Sequence, residues 1–205
     1  MKHITFYLDF ISPYAYLAFE KLPEALMGCS YSVSYQPLLF AGLLKHHGHK
    51  GPAEIAAKRD WTYRHVLWLA RQNGVDLRLP TKHPFNPLAL LRLALACGDA
   101  GVANRYVCET VFRHVWQGGG DAEDGQRLQA LSAQLAPMRD VAGEAVKREL
   151  KANTDAALAK GIFGVPTFEV DGRLFWGFDA LEMLRTYFDG DAWFDQNWDA
   201  LALVR

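Results

Sequence analysis

Hydrophobic and polar side chains alternate in two parts of the chain, near its start and near its end. The alternation from His3 to Asp9 predicts a strand, because apolar residues recur at every second place and most residues are β-formers. Ser12-Pro13 predicts a helix start, because serine is a favoured N-cap and proline is favoured at the first helical position. That helix continues from Tyr14 to Leu26, and a second strand follows from Tyr31 to Pro37. A strand, a helix and a strand in such a short stretch form a βαβ unit, so we expect the two strands to be parallel.

The middle of the chain, from about Leu38 to Gly161, has helical periodicity and almost no strand pattern. The predicted helices cover residues 53–73, 88–96, 103–116, 126–136 and 141–160. In the first of them Trp61, His65 and Trp68 share one face, and we interpret this stripe as part of the core. The middle of the chain therefore predicts an all-helical block.

Strand pattern returns towards the end of the chain. Thr167 to Val170 and Leu174 to Trp176 are short apolar runs, and the Asp171-Gly172 pair between them is typical of a two-residue hairpin turn. A helix is predicted from Asp179 to Phe188. The last part therefore adds two antiparallel strands and a helix.

The order of elements is βαβ, a helical block and ββα, which is the order of an α/β thioredoxin-like fold with an all-helical insertion. We expect residues 1–40 and 161–205 to form the thioredoxin-like domain and residues 41–160 to form the insertion. Half of the 205 residues are hydrophobic, which is enough for a sizeable core and excludes a disordered chain.

Charge and cysteine content exclude several classes of function. The chain has 22 Lys and Arg against 23 Asp and Glu, so its net charge of −1 favours neither nucleic acid nor a membrane surface as partner. Cys29, Cys97 and Cys108 form no CxxC pair, which argues against a disulfide framework or a zinc ribbon and favours reduced thiols in a cytoplasmic protein. We expect neither a signal peptide nor a transmembrane helix. His46 and His49 share a helical face without an acidic or cysteine ligand, so we expect no metal site.

Several motifs occur together in an order that resembles a known family. Ser12-Pro13-Tyr14-Ala15 opens a helix after the first strand, where thioredoxin-like oxidoreductases carry CxxC. Gly164-Val165-Pro166-Thr167-Phe168 resembles the segment with the cis-proline that faces that motif, and the insertion resembles the arrangement of DsbA. With serine in place of the first cysteine, residues 9–18 resemble the kappa-class glutathione transferases, and most closely their bacterial branch, the 2-hydroxychromene-2-carboxylate isomerases. Further matches are Gly51-Pro52-Ala53-Glu54 with Lys58, Pro84-Phe85-Asn86-Pro87 and Phe175-Trp176-Gly177-Phe178-Asp179.

The start of the first helix is the predicted catalytic position. Unpaired N–H groups and the helix dipole favour an anion there. Position 12 is serine and position 15 is alanine, so the site cannot exchange a dithiol for a disulfide. The resemblance implies glutathione as the cofactor, with the Ser12 hydroxyl donating a hydrogen bond to its thiolate. Sites of this kind lower a thiol pKa from about 8.5 to roughly 3.5–7.5.

The resemblance also implies the residues that bind glutathione. Val165 would bind the cysteinyl part through its main chain, although the same residues also fit an ordinary turn before a strand. Asp179, after Phe178 of the same motif, suits the γ-glutamyl amine, and a plain helix N-cap is the alternative. Lys58 would meet a glutathione carboxylate, although a surface lysine is the default for this position. His49 stands where the family commonly has asparagine.

The substrate side of the site is less specified. Asn86 is predicted to cap the next helix, with Pro87 at its first position, and the resemblance implies that these residues also face the substrate cavity, together with Tyr14. Arg92 lies in an otherwise apolar helix, so it either extends to solvent or pairs with a ligand carboxylate.

The resemblance implies a homodimeric, glutathione-dependent isomerase of aromatic, naphthalene-type catabolism. Its reaction interconverts 2-hydroxychromene-2-carboxylate and trans-o-hydroxybenzylidenepyruvate, a small aromatic ketoacid, by reversible addition of a thiolate. Two alternatives remain open at this point: a kappa-like transferase or peroxidase that consumes glutathione, and a thioredoxin-like binding module without catalysis. A disulfide oxidoreductase is rejected because the motif has no cysteine.

Overall fold

A four-stranded mixed sheet organises the computed structural model, which describes residues 1–203. The last two residues of the predicted thioredoxin-like segment, 204 and 205, lie outside the described residues. The strands are β1 (Lys2–Leu8), β2 (Tyr31–Pro37), β3 (Thr167–Val170) and β4 (Arg173–Trp176), in the spatial order β2-β1-β3-β4. The predicted parallel pairing of β1 with β2 is confirmed, and β3 runs antiparallel to both β1 and β4. Asp171 and Gly172 have φ values of 51° and 78°, as the predicted hairpin turn requires.

Helices occupy the chain between β1 and β2, between β2 and β3, and after β4. They are α1 (Pro13–Ala25), α2 (Phe40–His46), α3 (Ala56–Gln72), α4 (Leu88–Ala96), α5 (Arg105–Trp116), α6 (Gly125–Leu135), α7 (Glu144–Ala159), α8 (Ala180–Phe188) and α9 (Trp193–Asn197). Short 3₁₀ helices span Pro52–Glu54 and Trp198–Leu203. The sequence pattern missed α2 and α9. It also joined the first 3₁₀ helix to α3, whereas Ile55 between them is extended. The boundaries of the two proposed domains stay a prediction.

The sheet and the helical block share one apolar core. Phe6 of β1 packs on Phe168 of β3 at a ring-centroid distance of 4.5 Å, and Phe19 of α1 packs on Phe112 of α5 at 5.2 Å. Most residues of this cluster are fully buried, including Trp116. A loop that leaves β1 is therefore held from below by the sheet and from the side by the insertion.

The aromatic stripe on α3 is not part of the core, so that prediction was wrong. Trp61 and Trp68 are 64% and 55% exposed, and both rings stack on His65 with interplanar angles of 13° and 15°. The inward face of α3 is formed instead by the smaller Val66 and Ala70, which pack against α1. The three aromatic residues cover one another on the outer side of the helix, which reduces their exposed apolar area without burying them.

In the described part of the chain, the helices are all too short or too polar for a membrane-spanning segment.

Candidate functional site

Ser12 ends the loop between β1 and α1 and caps the helix. Its backbone is extended, with φ −90° and ψ 114°, and its Oγ accepts a hydrogen bond from the Ala15 N–H at 3.2 Å. The side chain is 7% exposed, so it lies just beneath the surface. The predicted cap is confirmed. The hydroxyl proton of Ser12 is left to bond to the residue opposite, Val165.

Val165 lies opposite Ser12 and precedes a cis-proline, as the sequence motif predicts. The Ser12 hydroxyl donates a hydrogen bond to the Val165 carbonyl at 3.3 Å. The two segments meet because β3 runs antiparallel beside β1, with Thr167 paired to Tyr7 near the end of β1. The topology therefore brings together the two residues placed at the centre of the site.

The main chain before Ser12 is held by side chains of the insertion. The Phe10 carbonyl accepts a hydrogen bond from the buried Trp116 Nε1 at 2.9 Å. The Ile11 carbonyl lies 2.9 Å from His83 Nε2. Because two successive carbonyls are fixed from outside the thioredoxin-like segment, the position of Ser12 depends on the insertion as well as on the sheet. Sequence analysis missed both contacts.

His83 precedes a second cis-proline, Pro84, in the loop before α4. Its Nδ1 lies 2.8 Å from the Tyr63 hydroxyl, which also reaches the His83 carbonyl at 3.1 Å. Burial lowers the pKa of the His83 imidazole. The neutral ring therefore accepts from Tyr63 at Nδ1 and donates from Nε2 to the Ile11 carbonyl, because the partner of one ring nitrogen sets the proton on the other.

Asp9 is a fully buried carboxyl group at the end of β1. It accepts hydrogen bonds from the Ile11 N–H at 3.2 Å and the Phe40 N–H at 2.9 Å, and so joins the Ser12 loop to the start of α2. Burial raises the pKa of Asp9 to about 7, despite these bonds to the ionised form. The sequence signal for such a buried carboxyl group is an aspartate directly after an apolar strand.

Asp179 occupies the N-cap position of α8, as the N-cap alternative predicts. Its side chain is exposed and makes no capping hydrogen bond. Gly177 has φ +105°, and a Cβ there would lie 2.4 Å from Asp179 Oδ1. The turn at Gly177 therefore holds the Asp179 carboxylate close to the main chain, and this carboxylate makes no hydrogen bond or ion pair with the described residues. The side chain of Phe178 packs inward against α1 and α3.

Tyr14 lies on the first turn of α1, and its hydroxyl is 2.9 Å from His65 Nδ1 on α3. Burial, and then the negative charge of Asp179, raise the pKa of Tyr14. Tyr14 and Asp179 are thus near enough to interact electrostatically at the same end of α1 as Ser12.

The other predicted residues make no direct contact with Ser12 or Val165 among the described hydrogen bonds and ion pairs. Lys58 and His49 are exposed, and no described hydrogen bond or ion pair joins them to Ser12 or Val165. Asn86 is exposed, and its side-chain oxygen accepts a hydrogen bond from the Leu88 N–H at 3.1 Å. The predicted range of α4, residues 88–96, is confirmed, but Pro87 occupies the N-cap position and not the first helical position.

An exposed aromatic pair flanks the Val165 segment and was not predicted. Phe163 and Trp176 are about half exposed, with ring centroids 4.7 Å apart. A Cβ at Gly164 would lie 2.6 Å from Trp176 Nε1, so the indole ring rests on the backbone one residue before Val165. Two apolar rings are therefore presented to solvent at the end of the sheet where Ser12 lies.

None of the three cysteines stands at position 12 or 165, and all three are free thiols. Cys108 is fully buried, and burial raises its thiol pKa well above the usual range. The rings of His46, His47 and His49 contact one another, but residues 1–203 contain no group of three potential metal ligands.

Comparisons with known proteins agree with this architecture. A family model described as a DSBA-like thioredoxin domain matches residues 3–189. The chain is 27% identical over 202 residues to a 2-hydroxychromene-2-carboxylate isomerase of Sphingobium xenophagum, covering 91% of this chain and 97% of the relative. It is 25% identical over 210 residues to a glutathione S-transferase kappa 1 of Rattus norvegicus, covering 93% and 92%. A solved structure of 2-hydroxychromene-2-carboxylate isomerase has a TM-score of 0.78 at 22% identity, covering 91% of this chain and 94% of that one. The predicted fold class and family resemblance are confirmed.

Proposed function

Because the chain belongs to the DSBA-like thioredoxin domain family and has serine and alanine where a CxxC motif would stand, we propose that its thiol is supplied by glutathione. We propose further that it is a glutathione-dependent isomerase of the 2-hydroxychromene-2-carboxylate type. The relatives named as isomerases and kappa-class transferases support this reading.

The observation that carries the proposal is the hydrogen bond from Ser12 to the Val165 carbonyl. At 3.3 Å it is long, so little free energy is lost when it is exchanged for another bond. In the proposed complex the Val165 carbonyl accepts the cysteinyl N–H of glutathione, and the Ser12 hydroxyl is released to donate to the sulfur. The Ala15 N–H keeps Ser12 in place during this exchange.

The helix start favours the ionised thiol. Ser12 donates a charge-assisted hydrogen bond, and the N-terminus of the 13-residue helix α1 adds its partial positive charge. Lowering the thiol pKa by about two units would correspond to about 2.7 kcal/mol of preferential stabilisation of the thiolate.

The remaining contacts of glutathione are assigned by charge. The free carboxylate of Asp179 is proposed to bind the γ-glutamyl amine, with Phe178 holding the turn. Lys58 and His49 are proposed to meet a carboxylate of the peptide, since both are exposed and able to move.

Bound glutathione would supply a nucleophilic thiolate whose reversible addition to a conjugated double bond allows rotation and is followed by its expulsion. The residues of this chain hold and orient the reactants. We propose that Phe163 and Trp176 stack on the aromatic ring of the substrate, because they are the exposed apolar surface beside Val165. Asn86, Pro87 and Tyr14 are proposed to complete the substrate side.

Small aromatic ketoacids of naphthalene-type catabolism are the proposed substrates. We also propose a homodimer in the cytoplasm, without nucleic acid or membrane partners.

A kappa-like transferase or peroxidase is the second proposed function, because relatives with that name cover most of the chain. The two functions differ in stoichiometry: an isomerase recovers glutathione unchanged, whereas a transferase or peroxidase consumes it.

The first experiment is calorimetric titration with glutathione, followed by ultraviolet titration of the bound thiol. We expect the native protein to lower the thiol pKa by about two units and Ser12→Ala to raise it again by about one unit, which leaves about threefold less thiolate at pH 7. Ser132→Ala on α6 is the matched control, because it removes a helical serine hydroxyl on another element. Absence of glutathione binding in the native protein would contradict both glutathione-dependent functions and favour a binding module.

A further inference from the structure

A cavity of about 210 Å³ lies between α4 and α7, outside the Ser12 site. Its cationic side chains are Arg92 of α4 and Lys147 and Lys151 of α7. Its apolar wall is formed by Leu39, Leu88 and Leu150. A cavity lined by three cations and three leucines suits an anion that carries an apolar body.

Arg92 is the group that sets this cavity apart. Its Nε is buried and has no hydrogen-bond partner among the described residues, and no described carboxylate lies within ion-pair distance of its guanidinium. A buried donor without an acceptor costs free energy, which a ligand oxygen would recover. The planar guanidinium matches a carboxylate with two parallel hydrogen bonds.

Lys147 and Lys151 add charge that is easily redirected. Lys147 pairs with Glu144 at 2.7 Å and Lys151 pairs with Asp155 at 2.5 Å, in both cases along the exposed side of α7. Such surface pairs within one helix contribute little to stability, so either lysine can turn to a ligand at low cost.

A larger cleft of about 440 Å³ between α5 and α6 shows the contrast. Its Arg113 pairs with Glu109, and its Arg127 donates to the carbonyls of His114 and Asp121. The guanidinium groups of that cleft already bond to the protein, whereas the buried Nε of Arg92 has no hydrogen-bond partner among residues 1–203.

We propose that the cavity between α4 and α7 binds a small organic carboxylate with an apolar body of about the size of one aromatic ring. Arg92 binds the carboxylate, Lys147 and Lys151 neutralise it, and the leucines cover the ring. The carboxylate of Asp155 on the rim disfavours a more highly charged anion such as phosphate.

This site is distinct from the Ser12 site and does not rest on the proposed function. None of the residues lining the cavity is a proposed glutathione ligand. Two contacts lead from the cavity towards the Ser12 site. The Leu39 N–H donates to Thr154 Oγ1 at 3.1 Å, and its neighbour Phe40 donates to Asp9. The Leu88 N–H donates to Asn86 at 3.1 Å.

The test is calorimetric titration of the full chain with benzoate, with and without saturating glutathione. We expect benzoate to bind the native protein equally in both conditions, and Arg92→Leu to weaken binding by about tenfold or more. Arg92→Lys, which keeps the charge without the planar fork, is expected to bind with intermediate affinity. Arg148→Leu is the matched control, because Arg148 is an exposed neighbour on α7 that does not line the cavity. A benzoate-induced rise in the unfolding temperature is the second readout, and the unfolding transition itself reports that the variants fold. We expect this rise to be lost in Arg92→Leu, reduced in Arg92→Lys and unchanged in Arg148→Leu.

Three results would overturn the proposal. One is the lack of benzoate binding to the native protein at about 10 mM, a concentration that detects even weak sites. Another is displacement of benzoate by glutathione, which would place the carboxylate in the Ser12 site. The third is equal binding of inorganic phosphate and benzoate, which would mean that the leucines do not contribute.

Discussion

Replacing His83 tests whether the insertion positions Ser12. His83→Ala removes the hydrogen bond to the Ile11 carbonyl, the partner of the Tyr63 hydroxyl and a ring that packs on Trp116 at 5.5 Å. We expect glutathione to bind with a higher thiol pKa, because the loop that presents Ser12 loses one of its two anchors from the insertion.

The magnitude follows from the contacts. The hydrogen bond contributes about 1 kcal/mol net, and the aromatic contact with Trp116 adds about 0.5–1.5 kcal/mol. His83→Ala is therefore expected to lower the free energy of unfolding by about 2 kcal/mol. A loosened Ser12 is expected to raise the thiol pKa of bound glutathione by about 0.5–1 unit, which corresponds to about 1 kcal/mol.

The hydrogen bonds of His83 differ between its neutral and its protonated ring. In the neutral ring Tyr63 donates to Nδ1. In the protonated ring Nδ1 donates to Tyr63, whose hydroxyl can turn to the His83 carbonyl at 3.1 Å. Nε2 donates to the Ile11 carbonyl in both states. The groups facing the imidazole are Tyr63, Phe85, Trp116 and this carbonyl, and the charges of Arg59 and Asp60 act on Tyr63.

Chemical denaturation and ultraviolet titration of bound glutathione measure the two effects. His83→Gln is expected to keep most of the lowering of the glutathione thiol pKa, because the glutamine amide can donate to the Ile11 carbonyl. Tyr63→Phe is expected to weaken glutathione binding at pH values above the His83 pKa, because the neutral ring without Tyr63 can place its proton on either nitrogen. Below that pKa binding is expected to recover, because the protonated ring always has a proton on Nε2. An unchanged thiol pKa in His83→Ala, together with the expected loss of stability, would refute the positioning role and leave a structural one.

Three further predictions concern the loop and its surroundings. The pKa of Asp9 is raised from 3.8 to about 7 in the folded protein, so stability should fall as pH rises from about 4 to 7, by at most ~4 kcal/mol; Asp9→Asn should flatten this slope in urea unfolding. Gly177→Ala should weaken glutathione binding several-fold by displacing Asp179, whereas Gly28→Ala, with positive φ but open space, should only lower the unfolding temperature. Trp116→Phe should cost about 1–3 kcal/mol of unfolding free energy, because a buried carbonyl loses its donor; a smaller loss would mean that water replaces the indole.

Periodicity predicted the strands and most long helices, because each buries one face and therefore repeats its apolar residues. It missed α2, a seven-residue helix that has one fully buried residue, Leu43, and is joined to the rest by the Phe40 N–H bond to Asp9. On α3 it placed the aromatic residues on one face correctly but turned the wrong face inward. A helical period identifies residues that share a face, and only packing partners decide which face is buried.

The candidate site divides in the same way between what local sequence encodes and what the fold assembles. Ser12 was predictable from its cap motif, and Val165 from the proline that follows it, since both signals lie within a few residues. His83 and Trp116 contact the same loop across 72 and 106 positions of sequence, and no spacing rule links them to it.

The contacts from the insertion that hold the Ser12 loop do not involve the side chain at position 12. The thioredoxin-like ends present the side chain at position 12 against the Val165 carbonyl, and in this chain that side chain is a hydroxyl. The insertion fixes the loop through main-chain carbonyls, so its anchors do not depend on which side chain stands at position 12. Serine at position 12 therefore caps the helix without supplying a thiol nucleophile. A helix N-terminus of this kind favours an anion, and under the proposed function that anion is the thiolate of glutathione.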